Sequence, residues 1–479
     1  MKRFATLEES FVDFRIGILY NGYINKEKGT CMLIRQAFLC ILISDGKIKE
    51  GGQMNKEGLK QQILKTAAAA AVGALLLAGA GADGGYYSLR SSSDSMEPLT
   101  RADIEYIQAQ APQAASADGV ISAEEWAAVY PEIAVSRGDN AKNEYHVSYL
   151  EESPYLVNIY EGYGFAKDYE SARGHSYTLE DVYATERPHA TANCLTCKTP
   201  NFTKLVNDQG VGVYSMDFNE VHAQMQETVS CYNCHENMAG EKGQLVVTHS
   251  YVHEALGSSV DTFDKGNLVC GQCHIEYYFA PETKATTMPY HNLEEMTPEA
   301  ILAYYDDLGY ADWTQESTGA KMLKAQHPEF ETAAYGKHAG LLNCADCHMP
   351  IEMAKDGTVY HSHTLVSPLE NETLLATCAK CHGETDMVSV VHAIQNEITA
   401  RETEVGTKLS QFKDKLAEAN QSGSVNEDDL EELRYIYRCA QWYFDFCYVE
   451  NAEGAHNSQL ARDCLDRSEQ LIDEGMMLF

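Results

Sequence analysis

The sequence CGQCHIEYYF, residues Cys270–Phe279, contains the pattern that decides the fold: two cysteines separated by two residues and followed at once by histidine. The same pattern recurs as CYNCH at Cys231–His235, CADCH at Cys344–His348 and CAKCH at Cys378–His382. Two thiols at this spacing can add to the two vinyl groups of one haem, and the adjacent histidine then reaches the iron. Zinc ribbons also contain Cys-x-x-Cys, but zinc gains nothing from a histidine fixed at the next position. The four motifs therefore predict four covalently bound haems.

A fifth pair, CLTCK at Cys194–Lys198, has lysine where the other motifs have histidine. Taken alone, this pair is more typical of a disulfide. Beside four haem motifs, it predicts a fifth haem with Lys198 as the iron ligand. An amine binds iron only when it is deprotonated, so this haem must differ chemically from its neighbours. That difference makes it the candidate catalytic centre.

Ten cysteines and five adjacent ligands are thus predicted to bind the haems. The cysteines expected to form the thioether bonds are Cys194 and Cys197, Cys231 and Cys234, Cys270 and Cys273, Cys344 and Cys347, and Cys378 and Cys381. The iron ligands expected next to them are Lys198, His235, His274, His348 and His382. Three further cysteines are predicted to be packed thiols: Cys439, Cys447 and Cys464.

The composition bounds the class of protein. The chain has 479 residues, of which 44% are hydrophobic and 22% charged, and this is typical of a globular protein. Lys and Arg number 36 against 71 Asp and Glu, so the formal charge is −35. Nucleic acid is excluded as a partner, because phosphate binding needs a basic surface. An anionic substrate would need local positive charge at its site.

The N-terminal part contains an export signal that begins at an internal methionine. From Met54 the chain has three lysines and a short apolar segment, and small residues precede a cleavage site after Ala82. The apolar segment is shorter than the roughly 18 residues of a membrane-spanning helix, which favours a signal peptide at 54–82 over an uncleaved anchor. Residues 1–53 are interpreted as a mis-assigned upstream extension, since codons for Lys49–Gly51 can form a ribosome-binding site. The protein is expected to be periplasmic, with any membrane association made through its redox partner.

The rest of the chain predicts a mainly α fold in two parts that differ in the length of their helices. Residues 83–385, rich in turn signals and short helical stretches, are predicted to form an irregular multihaem cytochrome c domain that carries catalysis. Residues 386–479 are predicted to form long helices and a dimer interface. Val391, Ile398, Val405 and Phe412 recur every seven residues and indicate one long helix. A break is expected at 420–426, a second helix from Glu427 to about 450, and a third over about 458–474. The repeat fits equally a partner helix in a second subunit or packing within the same domain.

With these motifs the chain resembles the ammonia-forming cytochrome c nitrite reductases, pentahaem enzymes whose active-site haem has a lysine ligand. The resemblance extends from about Pro154 to His456. Besides the order of the haem motifs it rests on KDYESARGHSY (167–177), CGQCHIEYYF (270–279), DWTQESTGAKMLKAQHPEFE (312–331) and ENAEGAHN (450–457). It implies six-electron reduction of nitrite to ammonium and a homodimer formed through the C-terminal helices. It also implies a quinol-oxidising multihaem cytochrome or a soluble cytochrome as electron donor.

The resemblance further implies a second axial ligand for each histidine-type haem. It pairs His175 with His274, His363 with His235, His456 with His348, and His338 with His382. His361 competes with His363, and the spacing from the fourth motif in the family favours His363.

The same resemblance places Arg187, Tyr277 and His327 over the open face of the Lys198 haem. Nitrite bound through nitrogen leaves two oxygens that need positive charge and proton donors. Arginine supplies permanent charge, while histidine and tyrosine can donate hydrogen bonds.

A calcium site is also implied by the resemblance. Its ligands would be the Glu276 carboxylate, the backbone carbonyls of Tyr277 and Lys324, and the side-chain oxygen of Gln326. Hard oxygen ligands of this kind suit Ca²⁺. One ion could thus hold both Tyr277 and His327 in place, because each is a ligand or the neighbour of one.

Two other functions fit parts of the sequence. An electron-transfer cytochrome would have two axial ligands on all five irons and no catalysis, and the CLTCK motif argues against it. A reductase of sulfite or another sulfur oxyanion would need the same catalytic residues, so the sequence does not separate it from a nitrite reductase.

Overall fold

The computed structural model describes residues 119–237 and 244–479, and this part is mainly helical. The interpretations of residues 1–53 and 54–82 lie outside the described residues. The helices are α1 Ala123–Trp126, α2 Pro131–Asp139, α3 Tyr149–Glu152, α4 Tyr155–Ile159, α5 Thr178–Ala184, α6 Pro200–Gln209, α7 Phe218–His222, α8 Cys231–Cys234, α9 Ser250–Leu256, α10 Ser259–Thr262, α11 Lys265–Gly271, α12 Pro298–Leu308, α13 Glu329–Ala334, α14 Cys344–His348, α15 Glu372–His382, α16 Met387–Ser422, α17 Glu427–Tyr448 and α18 Ser458–Met476.

Short 3₁₀ helices and three small hairpins fill the connections between the α-helices. The 3₁₀ helices are Asn140–Lys142, Gly164–Ala166, His175–Tyr177, Ala192–Leu195, Val211–Ser215, Leu293–Glu295 and Pro368–Glu370. The strands are β1 Tyr278–Phe279, β2 Thr286–Thr287, β3 Trp313–Thr314, β4 Lys321–Met322, β5 Ile351–Met353 and β6 Val359–His361. They pair antiparallel as β1–β2, β3–β4 and β5–β6, each pair being a separate two-stranded sheet. The predicted mainly α class is therefore confirmed.

Each of the three long C-terminal helices begins at a residue whose side chain caps it. Asp386, Asn426 and Asn457 accept hydrogen bonds from backbone N–H groups in the first turns of α16, α17 and α18, which satisfies donors that a helix start leaves unpaired. Helix α16 ends where Gly423 adopts a left-handed conformation with φ of 64°. The predicted break at 420–426 and the predicted bounds of the second and third helices are thus close to the observed ones.

The seven-residue repeat of α16 is buried within this chain. Ile398, Val405 and Phe412 are fully buried, whereas Val391 is only partly so. Helix α16 packs against α4, α17 and α18, and these side chains belong to one core that extends from Leu156 to Ile472. Of the two interpretations of the repeat, packing within the same domain is therefore the observed one. A homodimer through α16 would have to use its other face.

Two glycines permit this close packing. A β-carbon at Gly406 of α16 would lie 2.4 Å from the ring of Tyr155 in α4, and one at Gly475 of α18 would lie 2.3 Å from the ring of Phe412. Both distances are far below van der Waals contact, so a larger residue would push the helices apart.

The three cysteines outside the haem motifs lie in this helical region. Cys439, Cys447 and Cys464 are buried free thiols, which confirms their prediction as packed residues. Within the described residues, every helix is too short or too polar to cross a membrane.

Candidate haem sites and active site

The cysteine pairs lie on short helical turns, and the starts of two of these turns are fixed by local hydrogen bonds. Asn343 precedes α14 and exchanges hydrogen bonds with Asp346, a capping box that stabilises a helix too short to persist on its own. Before α8, the backbone N–H of Ser230 donates to the side-chain oxygen of Asn233. One helical turn places residues three apart on the same face, so both thiols of a motif point to the same side. No disulfide forms among the described cysteines.

Cys381 departs from the burial that the other motif cysteines share. It is exposed, whereas Cys378, Cys347 and the other seven cysteines of the motifs are half-buried. The CAKCH motif forms the last turn of α15, and the helix ends there at Gly383, so the Cys381 thiol lies at the surface rather than within a packed pocket. Attachment of a haem through Cys378 and Cys381 stays a prediction.

The structure places a second histidine ring opposite each motif histidine. The four pairs are those that the resemblance implied. His363 rather than His361 faces His235, and His361 instead offers its backbone carbonyl to Nδ1 of His363 at 2.9 Å. The distances between ring centres are 6.3 Å for His175 and His274, 6.1 Å for His235 and His363, 6.1 Å for His338 and His382, and 6.2 Å for His348 and His456.

The spacing of these rings fits an iron atom between them. An imidazole nitrogen binds a transition metal at about 2.0 Å and lies about 1.1 Å from its own ring centre, so two imidazoles on opposite faces of one metal have centres about 6.2 Å apart. All four pairs are close to that value. The residues present therefore fit haem at each histidine-type motif, including the more exposed CAKCH motif.

Contacts between cysteines give the order of the motifs in space. The Cys197 thiol of the lysine-type motif interacts with Cys273 of the CGQCH motif, and Cys234 of the CYNCH motif interacts electrostatically with Cys273. The other cysteine of CGQCH, Cys270, interacts with Cys344 of the CADCH motif. CGQCH is thus a junction that adjoins three other motifs, one of which is the lysine-type motif.

The CAKCH motif lies at the far end of this arrangement. Cys347 of CADCH interacts electrostatically with Cys378 of CAKCH, and burial together with this contact raises the pKa of Cys347 to about 12. The CADCH motif therefore connects CAKCH to the CGQCH junction.

Arg187, Tyr277 and His327 gather around the lysine-type motif. Burial lowers the pKa of His327 well below its usual value, and positive charges that include Lys198 and Arg187 lower it further. Burial raises the pKa of Tyr277 well above its usual range. Electrostatic interactions join Arg187 to Tyr277, and Arg187 and Lys198 to Cys194. Near neutral pH this region therefore combines an arginine cation, a neutral imidazole and a protonated phenol.

The guanidinium of Arg187 is held in place without being neutralised. Its Nε donates to the Thr185 hydroxyl at 3.0 Å, and Thr185 donates to the Asp168 carboxylate. The guanidinium carbon lies 4.4 Å from the centre of the Phe165 ring. Among the described residues, Arg187 makes no ion pair with a carboxylate, so its charge can act on an anion at the site.

The four predicted calcium ligands are brought together beside the candidate active site. The Glu276 carboxylate is buried and accepts from the backbone N–H of Gln326 at 2.6 Å and from the Tyr305 hydroxyl at 2.8 Å. The side-chain amide of Gln326 donates to the carbonyl of Lys324 at 2.8 Å, so this amide would have to rotate to offer its oxygen to a cation. No cluster of three or more His, Cys, Asp or Glu side chains suited to a metal occurs in the described chain. Only one of the four predicted calcium ligands is a carboxylate, and the other three would bind through carbonyl oxygens.

Sequence reasoning missed three further carboxylates around this site. Glu331 and Asp445 are fully buried, and burial raises the pKa of Glu331 to about 8 and that of Asp312 to about 6. One oxygen of Glu331 is buried without a hydrogen-bond partner. Among the described residues of the cluster, the Lys324 ammonium lies 3.3 Å from Asp445 and offsets one of these charges. The remaining excess of buried negative charge fits a divalent cation. The signal in the sequence was Asp445, an acidic residue within the otherwise apolar run 442–447.

The sequence and the structure also resemble known proteins. The sequence matches the cytochrome c552 family over residues 122–478. The structure is similar to the catalytic subunit of cytochrome c nitrite reductase from Desulfovibrio desulfuricans, a protein with two calcium sites, with 26% identity and a TM-score of 0.68 over 76% of this chain and 87% of that chain. A cell-wall cytochrome, OcwA, gives 18% identity and a TM-score of 0.35 over 62% and 48%. The undecahaem S-layer cytochrome from Carboxydothermus ferrireducens gives 15% and 0.33 over 64% and 41%.

Proposed function

Because the chain belongs to the cytochrome c552 family, we propose that it is a nitrite reductase that converts nitrite to ammonium at a haem attached through Cys194, Cys197 and Lys198. The reaction consumes six electrons and eight protons per nitrite and releases two waters. The similarity to the Desulfovibrio desulfuricans enzyme supports the substrate. The observation that carries the proposal is the arginine, tyrosine and histidine that surround the one motif with lysine in place of histidine.

We propose five haems in all. The four ring pairs support axial ligation by two histidines at the histidine-type motifs, which leaves those irons without a site for substrate. Lys198 would hold the fifth haem, whose other face is then available. When bound, that haem supplies an iron that takes the nitrogen of nitrite and delivers electrons.

Arg187 binds and orients the substrate in this proposal. The chain carries a net charge of −35, so an anion meets repulsion until it reaches a local positive field. The guanidinium offers several N–H donors in a fixed plane, which suits the two oxygens of nitrite. Its contacts with Thr185 and Phe165 fix that plane before substrate arrives, so little ordering is left for the binding step.

His327 and Tyr277 provide hydrogen bonds and protons as N–O bonds break. His327 is neutral near pH 7, because burial and nearby cations lower its pKa. A neutral imidazole can donate from one ring nitrogen and accept on the other, so it can pass protons repeatedly toward the substrate. Tyr277 keeps its proton across the physiological range, since burial raises its pKa, and it serves as a hydrogen-bond donor. Calcium at Glu276, Tyr277, Lys324 and Gln326 would fix both segments that carry these groups.

The remaining proposals concern the setting of the enzyme. We propose a periplasmic protein exported by the signal at residues 54–82, and a homodimer formed through the C-terminal helices. The electron donor is proposed to be a multihaem quinol-oxidising cytochrome or a soluble cytochrome.

The test is turnover of nitrite by the purified protein with all haems attached, using a low-potential artificial reductant and counting the electrons consumed. Ammonium formed with six electrons per nitrite supports the proposal. Absence of turnover in protein with full haem content would favour an electron-transfer cytochrome. Sulfite is the next substrate to try, since the same cationic site can accept it.

A pair of variants tests whether the reaction occurs at the proposed place. His327→Asn should lower kcat for nitrite by about 10²-fold or more, the contribution typical of one proton-transfer group. The matched control is His291→Asn, because His291 is exposed and its ring contacts Tyr304 outside the candidate site. Equal kcat values for the two variants would show that His327 takes no part in the reaction.

A further inference from the structure

Three histidines of the ring pairs donate a hydrogen bond from Nδ1, and they differ in what accepts it. His348 donates to the backbone carbonyl of Val366 at 3.1 Å. His363 donates to a backbone carbonyl as well. His456 instead donates to the carboxylate of Glu450 at 2.6 Å. Carbonyls are neutral, whereas the carboxylate carries a full charge, so this ring is set apart from those two.

Glu450 is built into the structure and shielded from solvent. It is only 4% exposed, and its second oxygen accepts from the backbone N–H of Gly454 at 3.3 Å. Gly454 has φ of 80°, and a β-carbon there would lie 2.8 Å from Ile398 of α16. The turn that joins Glu450 to His456 is therefore packed tightly against the long helix. Within the described chain, no lysine or arginine forms an ion pair with Glu450, so only His456 opposes its charge.

A second carboxylate makes a weaker contact of the same kind. Glu329 lies 4.0 Å from Nδ1 of His274, which is too long for a hydrogen bond, and this oxygen has no hydrogen-bond partner. Its other oxygen accepts from Asn451, the residue after Glu450. The two carboxylates thus lie together between the CGQCH and CADCH motifs.

We propose that Glu450 sets the reduction potential of the His348–His456 haem below that of the haem at His235, whose second histidine donates to a neutral carbonyl. The proposal rests on the histidine ligation proposed above. A carboxylate that accepts the Nδ1 proton makes the imidazole a stronger donor to iron and favours the ferric state, which carries one more positive charge. Because the carboxylate is buried, solvent screens its field only weakly. Glu450 is thus a positioning residue, which acts on the iron through His456.

The proposal has a consequence for electron flow. The His348–His456 haem lies between the CAKCH motif and the CGQCH junction, whereas the CYNCH motif adjoins that junction directly. Electrons from CAKCH must pass this low-potential haem, whereas electrons from CYNCH reach the junction without it. The CYNCH side is then the route to the lysine-type motif that avoids the haem influenced by Glu450.

The experiment is a potentiometric titration of the holoprotein, followed by visible and EPR spectroscopy. Glu450→Gln keeps the size of the side chain and a hydrogen-bond acceptor but removes the charge. It should raise the midpoint potential of one low-spin haem by at least about 59 mV. For one electron, this shift is a tenfold change in the reduction equilibrium of that haem. Glu450→Asp keeps the charge and should recover much of that shift. The matched control is Glu453→Gln, an exposed residue of the same turn, which should leave the midpoint potentials unchanged.

Two results would overturn the proposal. The first is that the Glu450→Gln and Glu453→Gln variants have the same midpoint potentials. The other is conversion of one haem to a high-spin form in Glu450→Gln, because Glu450 would then serve to hold the ligand rather than to set the potential. Nitrite turnover is measured in the same samples. A shifted potential in protein without turnover would support this inference and reject the proposed function.

Discussion

Removal of the charge of Asp445 should destabilise the protein and disturb the active site together. Asp445 is in α17, yet its carboxylate accepts from the backbone N–H of Ala325 at 2.8 Å, from the Lys324 ammonium at 3.3 Å and from the Tyr160 hydroxyl. These contacts hold the segment that carries a predicted calcium ligand and leads directly to His327. Asp445→Asn retains the shape of the side chain and one acceptor oxygen but removes the only carboxylate in an ion pair with Lys324 among the described residues.

The magnitude follows from burial. The side chains of Lys324 and Asp445 are 1% and 0% exposed, so neither charge is stabilised by water. Burial lowers the pKa of Lys324, and it is Asp445 that chiefly opposes this change. Breaking a buried pair by removing one partner costs about 3–5 kcal/mol, because the other charge remains without compensation. Replacing both partners by uncharged groups costs much less. Asp445→Asn should therefore lower the free energy of unfolding by about 3 kcal/mol or more, and Lys324→Met combined with Asp445→Asn should recover most of that loss.

The assay is denaturant unfolding of holoprotein at matched haem content, with nitrite turnover measured beside it. In the double variant stability should return but kcat should stay low, because the segment before His327 has lost an anchor. A double variant less stable than Asp445→Asn alone would refute the buried-charge argument. Full turnover in Asp445→Asn would refute the positioning of His327 through this contact.

Three further predictions concern the active site, its buried acids and the helix packing. Lys198→His should keep covalent haem but lower nitrite turnover steeply, as checked by haem staining and kinetics, and undiminished turnover would show that the active site lies elsewhere. Burial raises the pKa of Glu331 to about 8, so its protonated form stabilises the folded state at low pH. Calcium-free protein should therefore lose a few kcal/mol of unfolding free energy as the pH rises from about 5 through 8. Calcium or Glu331→Gln should flatten this loss in a pH series of unfolding curves, and an unchanged slope in Glu331→Gln would assign it to another group. Gly475→Ala should destabilise by about 1–3 kcal/mol, although alanine usually favours a helix, since its β-carbon would meet Phe412 at 2.3 Å. Phe412→Leu in the same chain should reduce that cost in thermal unfolding, and a Gly475→Ala variant as stable as the parent would show that the helices can separate freely.

The parts of the structure that the sequence predicted are those encoded over short distances. The Cys-x-x-Cys pairs lie within one helical turn, so their spacing alone specifies the chemistry. The long helices combine a repeat with polar caps such as Asn426 and Asn457, and both signals lie within a few residues of the helix they define. Local patterns of this kind need no knowledge of the fold. They do not report burial, which is why the exposure of Cys381 could not be read from a motif that matches its neighbours.

The second histidine of each ring pair shows why other parts of the structure could not be predicted from local sequence patterns. His175 and His274 are far apart in the chain and are joined by irregular segments, so no periodicity links them. Only the resemblance supplied these pairs, and it also supplied the preference for His363 over His361. Asp445 had a signal in its apolar surroundings, but its partners Lys324 and Ala325 are on a distant loop. A buried charge can be suspected from sequence, whereas its partner is fixed by tertiary structure.

The C-terminal helices complete the sites of the preceding domain. Helix α17 contributes Asp445 to the segment before His327, and the turn that follows it contributes Glu450 and His456 to the CADCH motif. The same helices share one core with residues from Leu156 onward. The change in sequence pattern at residue 386 therefore marks a change in helix length and not a boundary between independent units. Removal of residues 386–479 would take away the second histidine of one motif and an anchor of the active site, in addition to any dimer contact.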